Sequence, residues 1–172
     1  TRGKYGIEII NSFATIKQNT FSQTLNTAVF GDGTYQNRTV NITDNNIFNT
    51  VQRGIDLQKG INSLIINNTF NSGAQFGIFW QDNPNRILQI GGTISQKNIF
   101  NNNNWAAIMT SAYSGSQTEI QIVRNDFNGP GYATGIVVQE WALGSSAAYN
   151  ILDINSNTMN NIGDGIIITN VR

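Results

Sequence analysis

One phrase recurs six times along the chain: Asn19-Thr-Phe21, Asn46-Ile-Phe48, Asn68-Thr-Phe70, Asn98-Ile-Phe100, Asn125-Asp-Phe127 and Asn157-Thr-Met159. Its aromatic or Met positions lie 27, 22, 30, 27 and 32 residues apart. A period of this size marks stacked repeats, each burying its apolar face against its neighbours rather than in a common spherical core. A small residue followed by a branched apolar one comes six to eight residues after each phrase: Ala28-Val29, Gly54-Ile55, Gly77-Ile78, Ala107-Ile108, Gly135-Ile136 and Gly165-Ile166. A further copy, Gly6-Ile7, precedes the first Asn phrase. The stretches between landmarks, such as Gly31 to Arg38 and Glu140 to Asn150, are rich in Gly, Ser, Asn and Tyr. They read as loops that absorb the differences in length.

Around the landmarks apolar residues alternate, as in Ile7-x-Ile9, Val40-x-Ile42, Ile55-x-Leu57, Ile120-x-Ile122 and Leu152-x-Ile154. Such short period-two runs, bounded by Gly and Asn, predict strands with one face buried. No stretch long enough for a helix keeps an i, i+3, i+4, i+7 stripe free of Gly and Asn clusters. With two or three short strands per repeat, the chain is expected to coil so that each strand pairs in parallel with its copy one turn later.

The sequence resembles the right-handed parallel β-helix, the solenoid of pectate-lyase-like proteins and of parallel-β-helix repeat domains, over essentially its whole length. The resemblance implies an all-β rod of about six rungs, each adding roughly 4.8 Å, with variable loops on one side. It further implies that Asn19, Asn46, Asn68, Asn98, Asn125 and Asn157 turn inward at a bend. There each amide bonds its copies above and below, over a stacked column of Phe rings.

Ten basic and ten acidic residues are scattered without runs, which gives no sign of nucleic acid or of an anionic membrane as partner. No apolar run approaches the roughly 20 residues that span a bilayer, and no leader-like segment opens the chain, so membrane insertion is not expected. Cysteine is absent, which excludes disulfides, thiolate metal sites and a Cys nucleophile. Histidine is absent as well, so there is no Ser-His-Asp triad and no imidazole ligand or base. No phosphate-binding Gly loop precedes a helix, and no cofactor or metal is expected. The chain opens on Gly6-Ile7-Glu8-Ile9 and closes on Gly165 to Ile168 without an amphipathic cap. Residues 1–172 therefore read as one segment of a longer rod, or as a unit that associates through its open edges.

Function is expected on the outer face. With Ile55 and Leu57 inward, Asp56 points outward, and the equivalent column is Glu8, Phe30, Asp56, Phe79, Met109, Val137 and Ile167. Phe79, Met109, Val137 and Ile167 would form an exposed apolar strip suited to an interface with further copies, unless the loop from Trp141 to Tyr149 covers it. Aromatic side chains near the variable loops, Tyr35, Trp80, Trp105, Tyr113, Tyr132, Trp141 and Tyr149, accompany Gln81, Asp82, Asn83, Gln139 and Glu140, with Trp80, Trp105, Tyr113, Trp141 and Tyr149 the leading candidates. Rings and amides in such company suit a polysaccharide groove.

The catalytic candidates are Asp82 and Glu140, which occupy one landmark-relative position two rungs apart, with Lys59 one rung before Asp82. Two rungs are roughly 9.6 Å, at the upper edge of the separation used by inverting glycosidases. The Asn-Thr-Asp, Asp-Asp, Gly-His-Gly and Arg-Ile-Lys phrases of polygalacturonase-like enzymes do not occur, and the Asp residues are dispersed, unlike the cluster of calcium-dependent pectate lyases. The expectation is a non-catalytic extracellular or cell-surface segment, a rigid spacer or adhesin that contacts polysaccharide. The alternatives are a polysaccharide lyase or glycoside hydrolase of bacterial or phage tailspike type, and an assembly module of a homo-oligomeric rod.

Overall fold

The computed structural model describes residues 4–22, 26–44, 46–49, 52–71, 75–112, 117–140 and 148–169, the side chains of residues 46, 47, 49, 112, 140 and 148–150 excepted. The period-two segments form three parallel sheets wound into one solenoid. The first sheet has seven strands: Tyr5–Ile10, Thr27–Asp32, Arg53–Gln58, Phe76–Gln81, Ala106–Ala112, Thr134–Glu140 and Asp164–Thr169. The second has six, from Ala14–Lys17 to Ala148–Asn155. The third is built of the phrases themselves: Thr69–Phe70, Ile99–Asn101, Asp126–Asn128 and Thr158–Asn160 form one ladder, and Thr20–Ser22 pairs with Asn46–Asn49. Each strand pairs with its copy one turn on, giving about five turns. The sequence suggests about six rungs because six phrases enclose five intervals.

Inside the coil, Phe21, Phe48, Phe70, Phe100 and Phe127 stack in one column, with successive ring centroids 5.1, 4.6, 4.6 and 4.9 Å apart. Met159 continues the column. The small residue of the second phrase faces this column. A Cβ at Gly54 would lie 3.0 Å from the Phe70 ring, and one at Gly77 would lie 2.9 Å from the Phe100 ring. The two recurring phrases are thus opposite sides of one packing feature, with the ring filling the space the missing side chain leaves.

The Asn ladder runs beside the rings. Asn98 Oδ1 accepts from the Asn68 backbone N–H at 2.9 Å and from its Nδ2 at 3.1 Å, while Asn98 Nδ2 donates to Asn125 Oδ1 at 2.9 Å and to the Ile65 carbonyl at 2.9 Å. Asn125 repeats the pattern with Asn157. The residue before the Asn makes the bend by adopting a left-handed conformation, as Asn67, Arg124 and Ser156 do with φ of 56°, 53° and 55°. Before Asn98 the chain turns at Gly91, φ 79°, and inserts a 3-10 turn at Ile94–Gln96. That insertion lengthens the repeat.

Two departures from the sequence reading concern the amides. Asn46 is not the register mate of Asn19: it pairs with Thr20, and the register shifts by one residue before Phe21 meets Phe48. A second ladder follows the Phe column, in which Asn101 Nδ2 donates to Asn71 Oδ1, Asn128 Nδ2 to Asn101 Oδ1 and Asn160 Nδ2 to Asn128 Oδ1, at 3.0, 3.0 and 3.1 Å. Its signal was the Asn that follows Phe70, Phe100, Phe127 and Met159.

Candidate functional site

The first sheet carries the chemistry on its outer face because its inner face is taken by the core. Ile78 and Trp80 turn inward, leaving Phe76, Phe79 and Gln81 to turn outward, and the parallel register repeats this assignment on every turn. Glu8, Phe30, Asp56, Phe79, Met109, Val137 and Ile167 are successive register partners, the outward column read from the sequence. A third outward column is polar: Asp32, Gln58, Gln81, Ser111, Gln139 and Thr169.

The apolar part of the outer face is not a bare surface. Phe79, Met109 and Val137 are 4%, 2% and 7% exposed, and with Phe76 and Ala106 they form a second cluster against which Ile167 packs. The Arg53 guanidinium lies 4.3 Å from the Phe79 ring centroid and supplies a cation on its face. Phe79, Met109 and Val137 are therefore buried and Ile167 half-buried, so they do not form an exposed strip; the loop from Trp141 that the sequence reading offered as its cover lies outside the described residues.

At the other end of the face the same columns form a cleft of about 280 Å³, lined by residues that include Tyr5, Phe30, Arg53, Asp56 and Gln58. Tyr5 and Phe30 stack with centroids 4.4 Å apart. Arg53 donates to Asp56 Oδ2, and Asp56 Oδ1 has no hydrogen-bond partner among the described residues. Burial raises the Asp56 carboxyl above the ordinary carboxylate range, against the opposing charge and hydrogen bond of Arg53. The sequence reading placed Asp56 in the outward column but missed the cleft, because Arg53 and Tyr5 stand in a neighbouring column.

The predicted sugar-binding aromatics separate. Trp80 is fully buried and its Nε1 donates to the Ile61 carbonyl at 3.2 Å, so it offers no face to a ligand; its place two residues after inward Ile78 is the reason. Trp105 is 49% exposed and meets Phe76 edge-on at 4.7 Å. Tyr113 and Trp141 lie outside the described residues, as does the side chain of Tyr149. Asn83 is buried, its Oδ1 accepting from the Gly60 and Ile61 backbone N–H groups and its Nδ2 donating to the Leu57 carbonyl, so it holds a turn.

Of the catalytic candidates, Asp82 accepts a 2.6 Å hydrogen bond from the Tyr35 hydroxyl, and Lys59 donates to Asp32 Oδ2 at 2.8 Å. The Asp32 hydrogen bond and charge raise the Lys59 ammonium above its ordinary value, and the charge of Asp82 adds to this. The backbone of Glu140 pairs with Ala112, which follows the register of Asp82 by one turn, and its side chain lies outside the described set. The structure thus brings Lys59 and Asp82 together, each already engaged. Among the described residues there is no group of three or more potential metal ligands, and no helix is long and apolar enough to cross a membrane.

The model of the right-handed beta helix region matches residues 1–127. The chain belongs to the right-handed β-helix family. No curated protein and no solved structure matches it. Within the β-helix the outer face of the first sheet holds the ring pair of Tyr5 and Phe30, the ion pair of Asp56 and Arg53 and the side-chain amides of Gln58 and Gln81.

Proposed function

We propose that this β-helix is a rigid, non-catalytic spacer of an extracellular or cell-surface protein, and that it contacts polysaccharide along the outer face of its first sheet. The observation that carries the proposal is the cleft where Tyr5, Phe30, Arg53 and Gln58 surround Asp56, whose Oδ1 lacks a protein donor among the described residues. That oxygen is itself shielded from solvent, so the surfaces a glycan would meet are the ring pair of Tyr5 and Phe30 and the Arg53 and Gln58 side chains around it. The non-catalytic part is supported by the engagement of acidic side chains in structural pairs: Asp32 with Lys59, Asp126 with Lys97, Asp56 with Arg53 and Asp82 with Tyr35. The ladders of Asn and Phe support the role of a spacer, since each ring or amide is fixed by its copies on both sides.

A glycan-array screen of the purified protein, with mass spectrometry of every polysaccharide retained, tests this. Retention without cleavage is expected, reduced in Asp56→Asn. Shortened products would overturn the non-catalytic assignment, and absence of retention would overturn the contact with polysaccharide.

A further inference from the structure

Tyr35 is held in a way that its exposure does not require. The ring is 59% exposed, so burial contributes little to fixing it. Yet Thr34 and Tyr35 are two successive non-glycine residues in the left-handed region, with φ of 49° and 62°, a conformation that a bulky side chain adopts only when its surroundings impose it. Those surroundings are visible. The Tyr35 backbone N–H donates to the Lys59 carbonyl at 2.7 Å, and Asp32 Oδ1 accepts from the Thr34 N–H at 2.7 Å. The next turn passes close beneath: at Gly60, φ 98°, a Cβ would stand 2.7 Å from the Gln36 carbonyl oxygen and 3.1 Å from the Tyr35 Cα. At the far end of the side chain, the phenol donates to Asp82 Oδ2 at 2.6 Å.

Asp82 follows Gln81, and Asp32 precedes the Tyr35 turn. Asp32, Gln58 and Gln81 are register partners on three successive turns. The Tyr35 side chain therefore reaches along the rod axis, past the turn that carries Lys59, to a residue two turns on. An aromatic ring fixed at both ends lies beside the polar column, where Gln81 Nε2 donates to Gln58 Oε1 at 3.0 Å. The neighbouring charges are engaged by one another or by the phenol, as Lys59 is by Asp32. Such a place favours a neutral ligand that has one apolar face for the ring and hydroxyls at its edge for amides and carboxylates. That is the chemistry of a pyranose, and the polar column continues through Ser111 and Gln139 in the direction an extended chain would follow.

We propose that Tyr35 is a preset stacking platform for one sugar ring of a neutral polysaccharide, and that Asp82 is its positioning residue. The proposal rests on the reading that the first sheet meets polysaccharide. It assigns that reading to one loop aromatic, outside the cleft, and to the carboxylate that holds it.

Affinity electrophoresis in native gels containing galactomannan, xylan, hydroxyethylcellulose or dextran tests it, together with thermal melts. Tyr35→Ala is expected to weaken retardation by about tenfold with a melting temperature close to that of wild type. Tyr35→Phe and Asp82→Ala keep the ring and release its clamp, so each is expected to weaken binding by a smaller and similar factor, and the double variant by no more than either alone. Wild-type retardation of Tyr35→Ala would overturn the platform while leaving polysaccharide contact standing. A loss of retardation that merely tracks a fall in melting temperature in all three variants would reduce Tyr35 to a staple between turns. Absence of wild-type retardation on all four polymers would overturn the platform for a neutral polysaccharide, while retention on the glycan array would leave polysaccharide contact standing.

Discussion

Replacing Phe100 by Ala removes the centre of the stacked column. The ring is 1% exposed and stacks on Phe70 at 4.6 Å and on Phe127 at 4.9 Å, with interplanar angles of 3° and 6°. Loss of a buried Phe costs roughly 3 to 5 kcal/mol, combining the lost transfer energy with the cavity left behind. Two aromatic contacts, worth about 0.5 to 1.5 kcal/mol each beyond area, are lost with it. The site collapses poorly, because Gly77 faces the ring and has no side chain to move into the gap. We therefore expect a loss near the upper end of that range. Urea unfolding followed by far-UV circular dichroism, with Phe13→Ala as control, measures it; Phe13 is 68% exposed, with the Arg38 guanidinium 5.2 Å from its ring centroid. In a linear array the damage also uncouples the turns on either side, so a shallower transition is expected as the two parts unfold separately. A Phe100→Ala protein within about 1 kcal/mol of wild type would refute the stacked column as a principal source of stability.

Asn98→Ala should destabilise by roughly 3 kcal/mol or more, at about 1 to 3 kcal/mol for each buried partner left unpaired, since Asn68, Asn125 and the Ile65 carbonyl all lose a bond; equilibrium urea unfolding checks it. Gly91→Ala should be severe, because the left-handed φ of 79° is compounded by a Cβ that would stand 2.0 Å from the Val123 carbonyl oxygen; a soluble, wild-type melt would contradict the described corner. For Asp56 the folded carboxyl lies above its unfolded value, so its contribution is most favourable when both states are protonated. That contribution is lost as pH rises from the ordinary carboxylate range through the raised folded value. Thermal melts across the acid range should accordingly show Asp56→Asn gaining on wild type as pH rises through that window, and a constant difference would refute the assignment.

Much of the architecture was legible because a solenoid repeats its solutions. Each buried Phe needs a small residue opposite and an amide beside it, and the same need on every turn writes the same letters at each period. The second amide ladder was equally written, in the Asn after Phe70, Phe100, Phe127 and Met159. Asn46 misled because local spacing cannot reveal an extra residue that the parallel pairing absorbs between Thr20 and Phe21. Alternation also carried the correct answer for Trp80, an inward position, although its residue type suggested an exposed ring.

The sequence by itself determined the winding, the core columns and the outward register, since these follow from periodicity and from the obligation to satisfy buried amides. Only the tertiary structure decided what happens on the outer face. There Arg53 crosses from its own column to cap Phe79 and pair with Asp56. Tyr35 likewise reaches over one turn to Asp82 on the next. Side chains that lean across columns are set by three-dimensional packing between rungs, which one-dimensional spacing does not encode.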